Sequence, residues 1–216
     1  EKGSGSDVEN SINTTAEKKD DKYIINGEKW FVTGANKANF FFLQAKIKGG
    51  INEGSHALFI IDKSNEGIEL VDTPSFSHTY AFHHSIYKFN NVKVSEKNLI
   101  GKEGDGMSFT HSWFRHERLG IAARCCGAAE RLIEEASAFA KDRESFGDKI
   151  SNFQAVQFML ADSVNELWAA RLMLYETCKA HDKGIDLKIL HAKCSMVKLY
   201  ASEMANKVAD RAVQIF

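Results

Sequence analysis

The stretch YIINGEKWFVTGANKAN (23–39) sets the character of the first half of the chain. Two runs rich in aromatic and β-branched residues flank the pair Asn26-Gly27. Asn and Gly tolerate positive φ, so this pair between two such runs is typical of a β-hairpin. The stretch therefore predicts two antiparallel strands joined by a turn at Asn26-Gly27.

Similar strand-forming runs continue to about residue 104. FFFLQAKI (40–47) and HALFIID (56–62) are separated by the Gly-rich turn KGGINEGS, and SIYKFNNVKV (85–94) repeats the hairpin pattern around Asn90-Asn91. These patterns predict a small antiparallel β-barrel or sandwich as the first domain, residues 1–104.

The remaining residues, 105–216, are predicted to form a helical bundle, which makes the fold class α+β. After the glycine-rich linker NLIGKEGDG (98–106), apolar residues recur at steps of three and four through three long segments. A capping box at Ser151 and Gln154 predicts the start of the second helix, and Gly184 predicts its end. Three long amphipathic helices predict a bundle completed by a fourth helix that this chain lacks or by another subunit.

The composition limits the function classes. The chain has 216 residues, of which 44% are hydrophobic and 26% charged, as in ordinary globular proteins. A net charge of −1 provides no basic field for nucleic acid, and no run approaches the ~18 apolar residues of a membrane span. The four cysteines lack zinc-site spacing and weakly favour a reducing compartment. We see no targeting segment and expect a fragment of a longer protein of the cytoplasm or mitochondrial matrix.

The helix-forming stretch WFRHERLGIAARCCG (113–127) places a carboxylate among apolar residues. Phe114, Ile121 and Cys125 recur at three-four spacing, and Glu117 is predicted to lie on the same stripe. Carboxylates are rarely buried without a partner. A carboxylate in dry surroundings holds a proton more tightly, which suits a base that acts near neutral pH. The alternative is an ion pair with a neighbouring arginine at the edge of the bundle.

An ordered set of motifs resembles the acyl-CoA dehydrogenase family. The motifs are EKGSGSD (1–7), NGEKWFVTGANKAN (26–39), NLIGKEGDGM (98–107), DRESFGDKISNFQAVQFMLAD (142–162) and AVQIF (212–216). They follow the family's order and spacing over essentially the whole chain. The resemblance implies an FAD-dependent enzyme that removes two hydrogens from the α and β carbons of an acyl-CoA thioester. It also implies that the electrons pass to an electron-transfer flavoprotein.

The resemblance assigns cofactor contacts to both halves of the chain. Ser6 would touch the flavin and the thioester, and Thr33 would supply donors to the edge of the flavin ring. From the residues alone, Trp30 and Phe31 could instead be core residues of a half-buried hairpin. Arg143 would reach the FAD diphosphate of a neighbouring subunit, which requires a dimer or tetramer. The full set of predicted cofactor-binding residues is Ser6, Phe31, Val32, Thr33, Arg143, Ser145, Phe146, Gln154 and Gln214.

The resemblance also assigns a substrate side. Phe114 would line the acyl pocket, and Arg118 matches a near-constant arginine. Most members of the family keep the catalytic Glu in a loop beyond the point where this chain ends, and a minority place it one position before that arginine. The base is therefore Glu117 or a Glu outside this chain. The same fold also hosts flavin-dependent monooxygenases and oxidases, and a catalytically silent helical assembly module is a third reading.

One segment departs from the family. SFSHTYAFHHSIYKFNNVKVS (75–95) replaces the usual Gly-x-Arg-x-Ser-x-Thr pattern, so straight-chain substrates are not implied. Its histidines, His78, His83 and His84, have no carboxylate or cysteine nearby in the sequence. They are predicted to be surface or turn residues, and no metal site is predicted.

Overall fold

The computed structural model describes residues 1–77 and 83–216. They form two compact units, Glu1–His111 and Ser112–Phe216, called here the sheet unit and the helical unit. Of the nine strands that the described residues form, seven lie in the sheet unit, and the helical unit consists mainly of three long helices. The predicted α+β class is confirmed.

The seven strands of the sheet unit form one sheet with the order β5-β6-β2-β1-β3-β4-β7. They are β1 (Thr15–Lys19), β2 (Lys22–Thr33), β3 (Phe40–Lys48), β4 (His56–Asp62), β5 (Ile68–Asp72), β6 (His84–Ser95) and β7 (Leu99–Ile100). Neighbouring strands are antiparallel except β1 and β3. Over the described residues the edge strands β5 and β7 do not pair with each other, so the sheet is open and mixed rather than a closed barrel.

One face of the sheet carries the core. Successive side chains of a strand point to opposite faces. In β3 this alternation buries Phe41 and Leu43 at 7% and 2% exposure, whereas Phe42 between them is 64% exposed. Each large apolar side chain buried in this way contributes roughly 1.5–3 kcal/mol. A shift of one residue would turn the whole set to solvent, so the alternation fixes the register.

The predicted turn at Asn26-Gly27 is wrong. The strand β2 runs through this pair without interruption, and the hairpin between β1 and β2 turns at Asp20-Asp21 instead. Asp20 has a φ of 55°, which this turn requires. The tolerance of positive φ that marked Asn26-Gly27 as a turn serves another purpose there.

The predicted turn at Asn90-Asn91 is also wrong, because the pair lies inside the continuous strand β6. It faces Asn26 across the ladder, so that two residues of β6 oppose one residue of β2. Asn91 has a φ of 53°. This arrangement is a β-bulge, in which one extra residue is inserted into one strand of a pair.

The three long helices are α1 (Gly106–Asp142), α2 (Gln154–Asp182) and α3 (Leu187–Ile215). Residues 106–111 of α1 belong to the sheet unit, and the rest of the helix belongs to the helical unit. Between α1 and α2, the two-residue strands β8 (Glu144–Ser145) and β9 (Asp148–Lys149) form a hairpin. The helices share a core in which small residues of α1, such as Ala122 and Ala129, meet Leu167 of α2 and Val197 of α3.

The predicted capping box at Ser151 is wrong. Residues Ile150–Asn152 form a short 3-10 turn, and α2 begins at Gln154 after the N-cap Phe153, which makes no side-chain cap. The predicted end at Gly184 is confirmed, since this glycine follows the C-cap with a φ of 63°. Across residues 1–77 and 83–216, no helix combines the length and apolarity needed to cross a membrane.

Candidate active site

Trp30 and Phe31 form a second bulge in β2. Here two residues of β2 oppose a single residue of β6, Ile86. Phe31 has a φ of 58°, which is strained for a bulky residue, and its side chain is 51% exposed. The reading of Phe31 as a core residue is therefore wrong. Bulges are common beside active sites, where they redirect side chains.

The bulge carries a cluster of aromatic rings. The ring of Phe31 meets those of Trp30 and Phe76 edge to face, at centroid distances of 5.6 Å and 5.5 Å. Phe76 in turn packs against His84 at 5.3 Å. The ammonium group of Lys2 lies 5.8 Å from the Trp30 ring centroid. The segment thus offers a half-exposed aromatic surface beside the end of β2.

Thr33 ends this segment and exposes its hydroxyl. Its Oγ1 lies 2.9 Å from Nδ1 of His84, its cross-strand partner. Val32 points the other way and packs against the core of the sheet. The sequence interpretation of His84 as a surface or turn residue missed this contact, and His78 lies outside the described residues.

The turn that contains Ser6 is attached to β2 through Glu1. The carboxylate of Glu1 accepts hydrogen bonds of 2.6 Å from both Lys29 Nζ and Thr14 Oγ1. The side chains of Glu1 and Lys29 are only 6% and 18% exposed. Burial acts to raise the pKa of Glu1, but the hydrogen bonds from Lys29 and Thr14 and the charge of Lys29 outweigh it, so the pKa is lowered. Ser6 itself is exposed.

Arg143 to Lys149 form a hairpin at one end of the helical unit. Its two tip residues, Phe146 and Gly147, have φ values of 53° and 81°, as a type I′ turn requires. The Phe146 side chain is 99% exposed. A strained and fully exposed aromatic residue does nothing for the stability of this unit, so the tip has the character of a contact surface.

The structure brings five of the predicted cofactor residues to this end of the helical unit, one of which is the half-buried Ser145 of the hairpin. Ala140 of α1 and Ile215 of α3 share a buried cluster, against which Ile150 and Val156 pack. The other four, Arg143, Phe146, Gln154 and Gln214, are likewise neighbours of this cluster in the chain, and all four are exposed. In the part of the chain that the structure describes, no side-chain hydrogen bond or ion pair involves Arg143, Gln154 or Gln214.

Glu117 does not lie on a buried stripe, so that prediction is wrong. The fully buried residues of α1 are small and include Ala122, Cys126 and Ala129. Small side chains let helices approach closely, so α1 packs through them and leaves the bulkier stripe through Phe114 at its edge. The Glu117 side chain is 47% exposed, with an oxygen 3.9 Å from Arg124 Nη2.

Arg118, the next residue, is fixed within the helical unit. Its Nη1 donates to Nε2 of His191 on α3 at 2.7 Å. The guanidinium also lies 5.6 Å from the Phe114 ring centroid, within range of a cation–π contact. Sequence reasoning did not single out His191, because its partner is distant in sequence. Among the described residues, no group of three or more His, Cys, Asp or Glu side chains could hold a metal ion.

Two family profiles match the chain. Residues 1–92 match the acyl-CoA dehydrogenase middle domain, and residues 104–216 match the acyl-CoA dehydrogenase C-terminal domain. Together they span both units.

Curated proteins and solved structures are similar to this chain over nearly its whole length. An acyl-CoA dehydrogenase of Bacillus subtilis (strain 168) is 36% identical over 99% of the chain and 55% of its own length. The caffeyl-CoA reductase-Etf complex subunit CarC of Acetobacterium woodii is 33% identical over 100% of the chain and 56% of its length. The solved structure of PigA with FAD and proline superposes with a TM-score of 0.92 at 32% identity, covering 100% and 55%. The chain spans about half the length of the curated relatives it matches.

Proposed function

This chain belongs to the acyl-CoA dehydrogenase family, and we propose that it forms the middle and C-terminal parts of an FAD-dependent enzyme that oxidises the Cα–Cβ bond of an acyl-CoA thioester. The observation that carries the proposal is the Trp30–Phe31 bulge. It exposes an aromatic ring and, two residues on, the Thr33 hydroxyl. A flavin ring is flat and apolar with hydrogen-bonding edges, so it needs this combination.

The donor set fits FAD. Ser6 and Thr33 present exposed hydroxyls in the sheet unit. In the helical unit, Arg143 offers a planar fork of donors suited to a diphosphate, beside the exposed ring of Phe146. When bound, FAD would accept the hydride from the β carbon of the thioester. We assign the hairpin, Gln154 and Gln214 to the FAD of a neighbouring subunit, and therefore propose a homo-oligomer, either a dimer or a tetramer.

We assign the removal of the α proton to Glu117. Its half-exposed carboxylate is available to a ligand, and its Arg124 contact is long at 3.9 Å. Arg118, the next residue, is held by His191 and Phe114, so this segment of α1 is anchored to α3 directly beside the position of Glu117 in the sequence. Phe114 would line the acyl pocket. The competing assignment is a Glu outside these 216 residues.

The test is Glu117→Gln in the complete enzyme. We expect it to bind FAD as the wild type does and to lose flavin reduction by acyl-CoA by about 10²–10⁴-fold, which is the usual contribution of a general base. Glu134→Gln, an exposed acid on the same helix, is the matched control and should leave the rate unchanged. Retained reduction in Glu117→Gln would move the base elsewhere, and a complete protein that binds no FAD would refute the flavoenzyme assignment.

The electron acceptor separates this proposal from the oxidase or monooxygenase alternative. The name of the Acetobacterium woodii relative includes Etf, which supports an electron-transfer flavoprotein as the acceptor. We therefore expect the reduced enzyme to be reoxidised much faster by that flavoprotein than by air, as stopped-flow absorbance would show. Fast reoxidation by air would favour the oxidase. Fatty-acid β-oxidation in the cytoplasm or mitochondrial matrix is the setting we propose.

A further inference from the structure

The ring of His84 contacts two residues, Thr33 and Phe76. The two residues form a cross-strand pair beyond the second bulge, with Thr33 Oγ1 and His84 Nδ1 2.9 Å apart. The ring of His84 also packs edge to face on Phe76, at 5.3 Å and 86°. We propose that His84 is a positioning residue that sets the hydrogen-bond polarity of the Thr33 hydroxyl toward the cofactor. The proposal rests on the function proposed above.

The reason lies in the number of protons. A hydroxyl has one proton, and Nδ1 of a neutral imidazole either accepts or donates. If Nδ1 accepts, the Thr33 proton is used on His84, and the hydroxyl can only accept from a ligand. If Nδ1 donates, the Thr33 proton is free for an acceptor on the ligand. A protonated imidazole carries hydrogen on both nitrogens, so protonation of His84 makes Thr33 a donor to the ligand.

Reduction of the flavin would act on this pair. Uptake of two electrons and one proton would leave a bound FAD one unit more negative, and negative charge near His84 would favour a protonated imidazole. Protonated His84 would donate to the Thr33 hydroxyl, which leaves the Thr33 proton free for an acceptor on the ligand. Flavin reduction should therefore be accompanied by proton uptake at His84.

The strands around the pair carry other charged residues, which are common to all the variants below. Lys29 on β2 is paired with Glu1, and Asp72 on β5 accepts a hydrogen bond from the Thr73 N–H. The other charged residues of β2, β5 and β6 are Lys22, Glu28, Glu69, Lys88 and Lys93, and Lys2, Lys37 and His83 lie on adjoining segments.

The test uses the complete FAD-loaded protein in redox equilibrium with a reference dye, from about pH 5.5 to about pH 8.5. One additional bound proton changes an equilibrium constant tenfold per pH unit. We expect the reduction equilibrium of the wild type to rise more steeply as pH falls than that of His84→Phe, by a factor of up to about ten per pH unit. Protons taken up by the flavin itself are common to both proteins and cancel. Parallel pH profiles would overturn the proposal.

His84→Phe keeps a ring against Phe76, and His83→Phe at the adjacent position is the matched control that should behave as the wild type does. If His84→Phe fails to fold, His84→Asn replaces it, because an amide can bond Thr33 but does not titrate. The second measurement compares ¹⁵N spectra of the histidine rings in the flavin-free wild type and the flavin-free Thr33→Val variant. The Nδ1 signal of His84 should differ between the two proteins, and that of His83 should not. An unmoved His84 signal would overturn the proposal independently of the flavin.

The outcomes separate the two proposals. A complete protein that binds no FAD refutes the proposed function and with it this inference. A protein that binds FAD and is reduced by acyl-CoA, but whose pH profile ignores His84→Phe, refutes the inference alone.

Discussion

The two bulges of the β2–β6 pair are built alike but differ in what they expose. In the first bulge, the extra residue belongs to β6, at Asn90-Asn91; in the second, it belongs to β2, at Trp30-Phe31. Each bulge shifts the register by one residue in opposite senses, so the pairing beyond the second bulge returns to the register set before the first. The pairing of Thr33 with His84 therefore depends on both bulges.

The first bulge is satisfied by the protein's own groups. Asn91 donates its backbone N–H to Asn26 Oδ1 at 2.8 Å, and Asn26 Nδ2 donates to Asn91 Oδ1 at 3.2 Å. Thr14 covers Gly27 so closely that a Cβ there would lie 2.3 Å from Thr14 Oγ1. The second bulge instead leaves Phe31 half-exposed at a strained φ. The same backbone device thus serves stability at one place and offers a surface to a ligand at the other.

The largest expected effect is on stability at the first bulge. Gly27→Ala would place a methyl group 2.3 Å from Thr14 Oγ1 and 2.7 Å from Thr14 Cα, so the backbone must move. We expect a loss of about 3 kcal/mol in the free energy of unfolding, the upper end for overpacking, in urea denaturation. Gly127→Ala is the control, since nothing lies within 4 Å of that site on α1. The control should be neutral or stabilise, by up to about 1 kcal/mol. If Gly27→Ala were as stable as the wild type, Thr14 would not pack tightly against Gly27 at the first bulge.

The next effect is on binding at the second bulge. Phe31→Ala removes a half-exposed ring that contacts two others, so we expect the unfolding free energy to fall by no more than about 1 kcal/mol. The FAD dissociation constant should rise about tenfold, which corresponds to about 1.4 kcal/mol. Fluorescence titration of the complete protein measures it. Phe42→Ala on β3 removes a ring that is 64% exposed and should change neither quantity. A loss of stability in Phe31→Ala without a loss of affinity would erase the distinction between the bulges.

The sequence correctly predicted the strand bounds and buried helix faces that follow from local periodicity. The run HALFIID (56–62) coincides with β4. The apolar stripe predicted for α3 is buried from Leu190 to Ile215, although its first residue, Leu187, is 62% exposed. The period of a strand or helix is a property of its own residues, so it can be read without knowing the partner.

The sequence predictions that were wrong concern features that depend on which other segment a strand or helix packs against. Asn26-Gly27 requires unusual backbone angles in a turn and in a bulge alike, and only the pairing of β2 with β6 decides between them. Glu117 lies on one of two overlapping stripes of α1, and packing selected the stripe of small residues instead. The contact of Thr33 with His84 depends on two compensating register shifts, which no single segment reveals. The candidate roles of Arg143 and Gln214 came from resemblance alone, because their exposed side chains carry no packing signal.

The smallest expected effect concerns Glu1, which links the two bulges. Its carboxylate bonds Thr14, which covers Gly27, and Lys29, which directly precedes Trp30. The folded-state pKa of Glu1 is lowered below its ordinary value of 4.5. Stability from this carboxylate is therefore present above pH 4.5 and is lost as the pH falls through the folded-state pKa. We expect a loss of about 1 kcal/mol, the size of one hydrogen bond, in urea unfolding at about pH 7, 5, 4 and 3, most of it below about pH 4.5.

The double variant Glu1→Gln/Lys29→Met is the control, because it removes the titrating group without leaving Lys29 as an unpaired buried charge. Its stability should fall less steeply than that of the wild type over the same acidic range, since other carboxylates titrate in both proteins. Acidification should also weaken FAD binding in the wild type more than in the double variant, because protonated Glu1 releases Lys29 beside the second bulge. If stability and FAD affinity fell identically with pH in the two proteins, Glu1 would not couple the first bulge to the second.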